Sequence, residues 1–115
     1  MPITKSTIPL GKVISSPRRE LVFDTADTEK SYTFDANFVL HTLVAEIPNW
    51  TNDVTATVTI FDVNNVVSYS IGSLVRNTNH IIKPDVAFTG VCTLKITLSG
   101  VPGSTGTVYV TLKFV

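Results

Sequence analysis

The sequence predicts an all-β protein, and two observations lead to that fold class. Apolar and polar side chains alternate with period two in several short stretches, as they do in strands that bury one face. Clusters of glycine, proline and asparagine separate these stretches, as turns do. No stretch shows the 3.6-residue apolar period of an amphipathic helix. We therefore expect an antiparallel β-sandwich, jelly-roll or immunoglobulin-like, of about eight short strands with an extended N-terminal arm.

The clearest predicted element is a β-hairpin that spans residues 54–71. β-Branched valine and threonine alternate along its first strand, and such residues suit a half-buried pleated surface. Asn64 and Asn65 tolerate the left-handed backbone of a tight turn, so we place the turn there. The residues predicted to face inward are Val54, Ala56, Val58 and Ile60 on the first strand and Val67, Tyr69 and Ile71 on the second.

Before this hairpin, we expect short strands at residues 20–24 and 31–34 and a longer one at 38–47. Both faces of the longer strand are apolar at its start, which indicates a central position. In the connection that follows, Trp50 is expected to cover one end of the core.

After the hairpin, residues 72–79 are predicted to be loop, followed by short strands at 80–82 and 86–88. Two cleanly alternating strands end the chain, joined by a glycine-rich turn at 100–106. Their predicted inward residues are Cys92, Leu94, Ile96 and Leu98, and then Val108, Val110, Leu112 and Phe114.

The first 19 residues are predicted to be an extended basic arm, and residues 20–115 to be the β-sandwich domain. Three prolines interrupt the arm, which contains four basic and no acidic residues, whereas the remainder contains five basic and nine acidic ones. Such asymmetry is typical of an arm with an acidic partner, although a merely solvated tail would look the same. The predicted partner-binding residues are Ile3, Lys5, Ile8, Leu10, Lys12, Val13, Ile14, Arg18 and Arg19.

Composition excludes several classes of protein. A chain of 115 residues makes one domain, and its single cysteine, Cys92, forbids an internal disulfide. No run of apolar residues is long enough for a transmembrane helix. The alternation would also fit a small transmembrane barrel, but such a barrel needs longer strands and aromatic girdles, which this sequence lacks. Because the N-terminus lacks the apolar core of a signal peptide, we expect synthesis in a cytoplasm.

No catalytic or metal-binding pattern is present. His41 and His80 have no second ligand at metal spacing, and Cys92 lies on a predicted inward face. The acidic group at residues 24–35 lacks the spacing of a calcium loop. The glycine-rich turn precedes a strand rather than a helix, so it is not a phosphate loop. We expect no enzymatic activity, no cofactor and no nucleic-acid or membrane partner.

Five motifs within residues 50–115 form a recognisable series: Val54–Asp62 (VTATVTIFD), Ile71–Leu74 (IGSL), Asn77–His80 (NTNH), Thr93–Gly103 (TLKITLSGVPG) and Gly106–Leu112 (GTVYVTL). In these motifs and their order, residues 50–115 resemble small structural proteins of tailed-bacteriophage virions. It implies a non-enzymatic β-sandwich of the virion, either a head decoration (cement) protein or a tail accessory protein.

The first hypothesis is therefore a capsid decoration protein that bridges major-capsid subunits, acts as a homo-oligomer and is made in the host bacterial cytoplasm. The first alternative is a tail or baseplate component. The second is a carbohydrate-binding module of a receptor-binding particle, for which Trp50 and Tyr109 are the candidate aromatic platforms.

Overall fold

The computed structural model describes residues 14–36 and 39–115, and this part of the chain consists of ten β-strands joined by turns. The two shortest strands have two residues and the longest have nine. The strands are β1 (Ile14–Ser15), β2 (Arg19–Phe23), β3 (Glu29–Ala36), β4 (Val39–Ile47), β5 (Thr55–Phe61), β6 (Val67–Val75), β7 (Thr78–Ile82), β8 (Val86–Ala87), β9 (Gly90–Leu98) and β10 (Gly106–Phe114).

The strands form two antiparallel sheets packed as a β-sandwich, so the predicted fold class is confirmed. In the first sheet β10 and β4 are central and pair with each other. On the other side of β10 lie β1 and β2, and on the other side of β4 lie β7 and β8. The second sheet has the order β3-β9-β5-β6. When β1–β2 and β7–β8 are each counted as one interrupted strand, the two four-stranded sheets have the connectivity of a jelly roll, which decides between the two predicted topologies.

The core lies between the sheets and is formed by the predicted inward faces. On β5, β9 and β10 every predicted inward residue is buried, because the period of two continues without a break along each strand. The central position predicted for β4 is also confirmed, since β10 lies on one side of it and β7 and β8 on the other. Trp50 covers one end of the core as predicted; it is buried there and packs edge-on against Phe23, with ring centroids 5.6 Å apart.

The predicted hairpin is confirmed as β5 and β6, but its second strand is longer than predicted. Asn65 adopts the left-handed conformation (φ 62°) at the turn. The loop predicted at 72–79 is wrong, because β6 continues to Val75 and β7 begins at Thr78. Ser73 (φ 60°) and Asn77 (φ 54°) have positive φ values, so these polar residues mark an irregularity within β6 and a tight turn.

The two ends of the sandwich are different. One end of the sandwich contains the connection between β3 and β4 and the turn between β5 and β6. It also contains the start of β9 and the C-terminus. The chain also enters the first sheet here, since Ile14 pairs with Phe114. We name this the arm end. The opposite end, named the loop end, contains the connections β2–β3, β4–β5, β6–β7 and β9–β10.

Hydrogen bonds between connections close the loop end. The amide N of Asn52 donates to the carbonyl O of Pro102 (2.9 Å), and that of Gly103 donates to the carbonyl O of Thr25 (3.1 Å). The Arg76 guanidinium donates to the carbonyl oxygens of Trp50 (2.6 Å) and Thr51 (2.9 Å). In the part of the chain described, no helix is long and apolar enough to cross a membrane.

Candidate interaction surface

The described part of the predicted arm is attached to the first sheet. Ile14 and Ser15 pair with Phe114 and Lys113 of β10. The backbone N of Ser16 then donates to the carbonyl O of Leu112 (2.8 Å), and the Leu112 N donates to Ser16 Oγ (3.2 Å). Pro17 has no backbone N–H, and the pairing with β10 resumes only at β2. Residues 14–19 therefore fix the point from which residues 1–13 depart.

The Arg18 side chain is held by two groups of the same domain. Its Nε and a terminal nitrogen donate to the two Glu46 carboxylate oxygens at 3.1 and 2.8 Å, a bidentate pair. Its Cζ lies 3.6 Å from the centroid of the Tyr109 ring. The hydrogen bond to Glu46 raises the pKa of Arg18 above its ordinary value. The cation thus fastens the start of β2 to the outer face of the first sheet.

Arg19 also contacts its own domain. Its Cζ lies 4.3 Å from the ring centroid of Tyr32, which belongs to β3 in the other sheet. Tyr32 is buried, and burial raises the pKa of its hydroxyl. Arg19 therefore covers the gap between the two sheets on the side where β2 and β3 lie.

The nine predicted partner-binding residues fall into two groups. Ile14, Arg18 and Arg19 are described: Ile14 is 46% exposed at the arm end, whereas the two arginines contact Glu46, Tyr109 and Tyr32. The other six lie outside the described residues: Ile3, Lys5, Ile8, Leu10, Lys12 and Val13.

The arm end also presents four exposed valines, here named the valine tip: Val63, Val66, Val67 and Val91. Each of these side chains is more than half exposed. Val63 Cγ2 lies only 3.4 Å from where a Cβ on Gly90 would be, which joins the hairpin turn to the start of β9. Exposed apolar surface concentrated at one end of a domain is typical of a contact surface.

Asp62 makes the hairpin turn of the valine tip rigid. Its carboxylate Oδ1 accepts hydrogen bonds from the backbone N of Asn64 and of Val66, both at 2.9 Å. Its own backbone N donates to the Val66 carbonyl O (2.8 Å). The exposed valines are consequently presented by a fixed turn, so binding through them would lose little conformational entropy.

The valine tip was missed by sequence reasoning, which placed Val67 on the inward face. Val67 pairs with Phe61, and the register of the hairpin shifts between Ile60 and Phe61. That irregularity turns Val67 outward, while Tyr69 and Ile71 still pack against the core. The sequence contained one indication of the exposed valines, namely two adjacent valines after a polar turn. In a strand with one buried face, only one of two neighbouring residues can face inward.

The residues considered for chemistry are each occupied in local contacts. His41 Nδ1 lies 2.7 Å from Thr42 Oγ1, and His80 Nε2 lies 2.9 Å from the Val75 carbonyl O. Cys92 is buried in the core, and burial raises the pKa of its thiol, which disfavours the nucleophilic thiolate.

The acidic group at residues 24–35 is spread along the length of the sandwich. Asp24 and Asp27 share a turn at the loop end, where the Asp24 N donates to Asp27 Oδ2 (2.9 Å). This hydrogen bond lowers the pKa of Asp27. Asp35 lies at the opposite end of β3. Within residues 14–36 and 39–115, no three histidine, cysteine or acidic side chains are grouped as metal ligands would be.

The two candidate aromatic platforms for a sugar are both covered. Trp50 is only 1% exposed, because it fills the core beneath the loop end, so its assignment as an exposed platform is wrong. Tyr109 is on the outer face of the first sheet, but Arg18 lies over its ring.

Comparison with known proteins gives distant structural neighbours. No family model matches the chain, and no curated protein matches it. Among solved structures, the chain is similar to the carbohydrate-binding module CBM36 in complex with calcium and xylotriose, at 16% identity and a TM-score of 0.46, with 89% of this chain and 90% of that one covered. It is also similar to a structure of infectious bursal disease virus, Gx strain, at 14% identity and a TM-score of 0.37, with 97% of this chain and 36% of that one covered.

Proposed function

We propose that this chain is a non-enzymatic structural protein of a bacteriophage virion, specifically a capsid decoration protein that bridges major-capsid subunits. The arm end would face the capsid shell, with the valine tip against the shell and residues 1–13 reaching neighbouring subunits. Binding only to the assembled shell would stabilise it by mass action.

The observation that carries this proposal is that the valine tip and the start of the arm lie at the same end. Ile14 enters the first sheet at that end, and four valines are more than half exposed there. The loop end is instead closed by its own hydrogen bonds. The arm end thus combines the four exposed valines with the start of the arm, whereas the connections of the loop end are hydrogen-bonded to one another.

Two further features favour a structural role over carbohydrate binding. The outer face of the second sheet is rich in serine and threonine, which is usual for a solvated surface. Among the described residues, the candidate platforms for a sugar are buried or covered, which disfavours the carbohydrate-binding alternative. A tail or baseplate position remains the alternative within the same class, since the same end could dock there.

The proposal is tested by adding the protein back to virus particles that lack it and measuring its occupancy on them. Val63→Asp with Val66→Asp should lower occupancy at least about tenfold, because each charge would lose water on docking. Both side chains are exposed, so the fold should persist.

The matched control is Val75→Asp with Val101→Asp, which changes two exposed valines at the loop end that are each 48% accessible. It introduces the same chemical change on a surface that faces away from the shell, so its occupancy should equal that of the unaltered protein. Equal loss in both variants, or no loss in either, would contradict docking by the arm end.

A further inference from the structure

The free edge of β3 is the most regular strand edge in the described part of the molecule. All eight residues from Glu29 to Ala36 pair one-to-one with β9 without a register shift. Because β3 is the last strand of its sheet, the other side of its backbone is unpaired with any strand described. An edge of this kind is a template for pairing with another chain.

The other three edges are interrupted. Pro17 separates β1 from β2, and Pro84 with Asp85 (φ 51°) separates β7 from β8. On β6, Ser73 has φ 60° and the register with β5 shifts. Prolines and bulges are the usual means of blocking edge-to-edge pairing, so β3 is the edge on which such blocks are missing.

The charges of β3 select the kind of strand that would fit. Glu29 and Asp35 both lie on its outward face, at opposite ends. Lys95 is 3.7 Å from the Glu29 carboxylate, whereas Asp35 has no cation within 4.0 Å among the described residues. A second copy of β3 would add carboxylates, but a basic strand would place a cation beside Asp35.

We propose that the free edge of β3 binds residues 3–8 of the arm of a neighbouring copy. This stretch, Ile3-Thr4-Lys5-Ser6-Thr7-Ile8, has no acid and lies between Pro2 and Pro9. The inference rests on the proposed function in one respect, namely that the arm is the segment that links subunits.

Charge favours one antiparallel register, in which Lys5 is opposite Asp35, residues 4–8 lie along residues 32–36 and Ile3 extends beyond β3. Thr7 is then opposite Thr33 on the outward face, and Ile8 is opposite the buried Tyr32 on the inward face. Pro9 follows immediately and ends the strand, since it has no backbone N–H to donate.

The occupant is a neighbouring copy rather than the same chain because of strand direction. The chain enters at the arm end, where β3 finishes. If residues 3–8 of the same chain led directly to Ile14, they would run parallel to β3. Parallel pairing is slightly less stable per residue than antiparallel pairing. A neighbouring copy can approach in the antiparallel direction, so it is the favoured occupant.

The test is a charge-swap series on the full chain, with molar mass measured by light scattering across a range of protein concentrations. The unaltered protein should self-associate. Asp35→Lys should weaken association about tenfold, since it replaces an attractive cross-strand pair by a repulsive one. Adding Lys5→Glu to that variant should restore association. Glu29→Lys is the matched control on the same strand and face, and Lys5→Glu should not restore any loss that it causes.

Three results would overturn the inference. The first is a mass of one chain at every concentration. The second is a double variant no better than Asp35→Lys alone. The third is a single-chain mass with slow hydrogen exchange at residues 3–8 that Asp35→Lys abolishes, which would place the arm on its own β3. Occupancy on particles by a protein that stays monomeric would overturn this inference alone, whereas self-association without occupancy would overturn the proposed function alone.

Discussion

At the scale of single residues, the fold depends on which side of a strand each side chain occupies. Val58 is fully buried between the sheets, whereas Thr57 next to it faces outward on the same strand. A carboxylate at the first position would lose its water without gaining a partner, but at the second it would remain hydrated.

Val58→Asp should therefore lower the free energy of unfolding by several kcal/mol, roughly enough to unfold a domain of ordinary stability. Ile96→Asp, at another fully buried position, should behave alike. Thr57→Asp is the control and should cost much less. Denaturant unfolding monitored by circular dichroism measures all three, and equal losses at buried and outward positions would show the assigned faces to be wrong.

Tyr32 makes stability depend on pH at the alkaline end. Burial raises the pKa of its hydroxyl in the folded state, and that hydroxyl has no hydrogen-bond partner among the described residues. Below the unfolded-state pKa of about 10, the hydroxyl is protonated in both states, so the full free energy of unfolding is retained. As the pH rises above that value, the unfolded chain loses the proton more readily, so stability declines by up to about 1.4 kcal/mol per pH unit.

Tyr32→Phe should remove this part of the alkaline decline. At neutral pH it should leave the free energy of unfolding unchanged or raise it by up to about 1 kcal/mol, because it deletes an unsatisfied buried hydroxyl. Unfolding free energies measured from pH 8 to pH 11 test this, and a variant that declines as steeply as the unaltered protein would refute the role of Tyr32.

At the scale of elements, the start of β10 is shaped by contact with the β4–β5 connection. A Cβ on Gly106 would lie 2.5 Å from Trp50 Nε1 and 2.9 Å from Pro48 Cγ. Gly100, in the same glycine-rich connection, has ordinary space, since its Cβ would be 3.6 Å from Val54 Cγ1.

Gly106→Ala should therefore destabilise the protein by about 1–3 kcal/mol, since Trp50 is fixed in the core and cannot move freely. Gly100→Ala should change stability by less than about 1 kcal/mol. Thermal unfolding of the two variants provides the comparison. An equal effect would mean that the glycines serve the turn rather than the packing at Trp50.

The sequence predicted the elements that obey simple alternation and failed where the alternation is interrupted. β5, β9 and β10 were predicted with their inward faces because each has an uninterrupted period of two. β6 was predicted too short and Val67 was predicted to face inward, because the register shifts of an edge strand depend on its partner. For the same reason the valine tip was not predicted, and the extended arm stays a prediction for residues 1–13.

At the scale of the whole molecule, the sandwich and residues 1–13 are expected to be separable. Ser16 already bonds to Leu112, and Arg18 to Glu46, so the described end of the arm is fixed without the preceding residues. Deleting residues 2–13 should leave the thermal unfolding temperature nearly unchanged and abolish attachment to particles. A deletion that also removed residues 14–17 would break the pairing with β10, so a loss of attachment could no longer be separated from a loss of stability. Attachment by the shorter chain as strong as by the full one would show the arm to be a passive tail.

The central claim, that this protein docks on a virion by its arm end, is tested most directly by electron cryomicroscopy of purified particles. The reconstruction should show the sandwich on the particle with the valine tip and Ile14 facing the shell and the connections around Trp50 facing outward. Absence of the protein from purified particles, or its attachment by the loop end, would contradict the account.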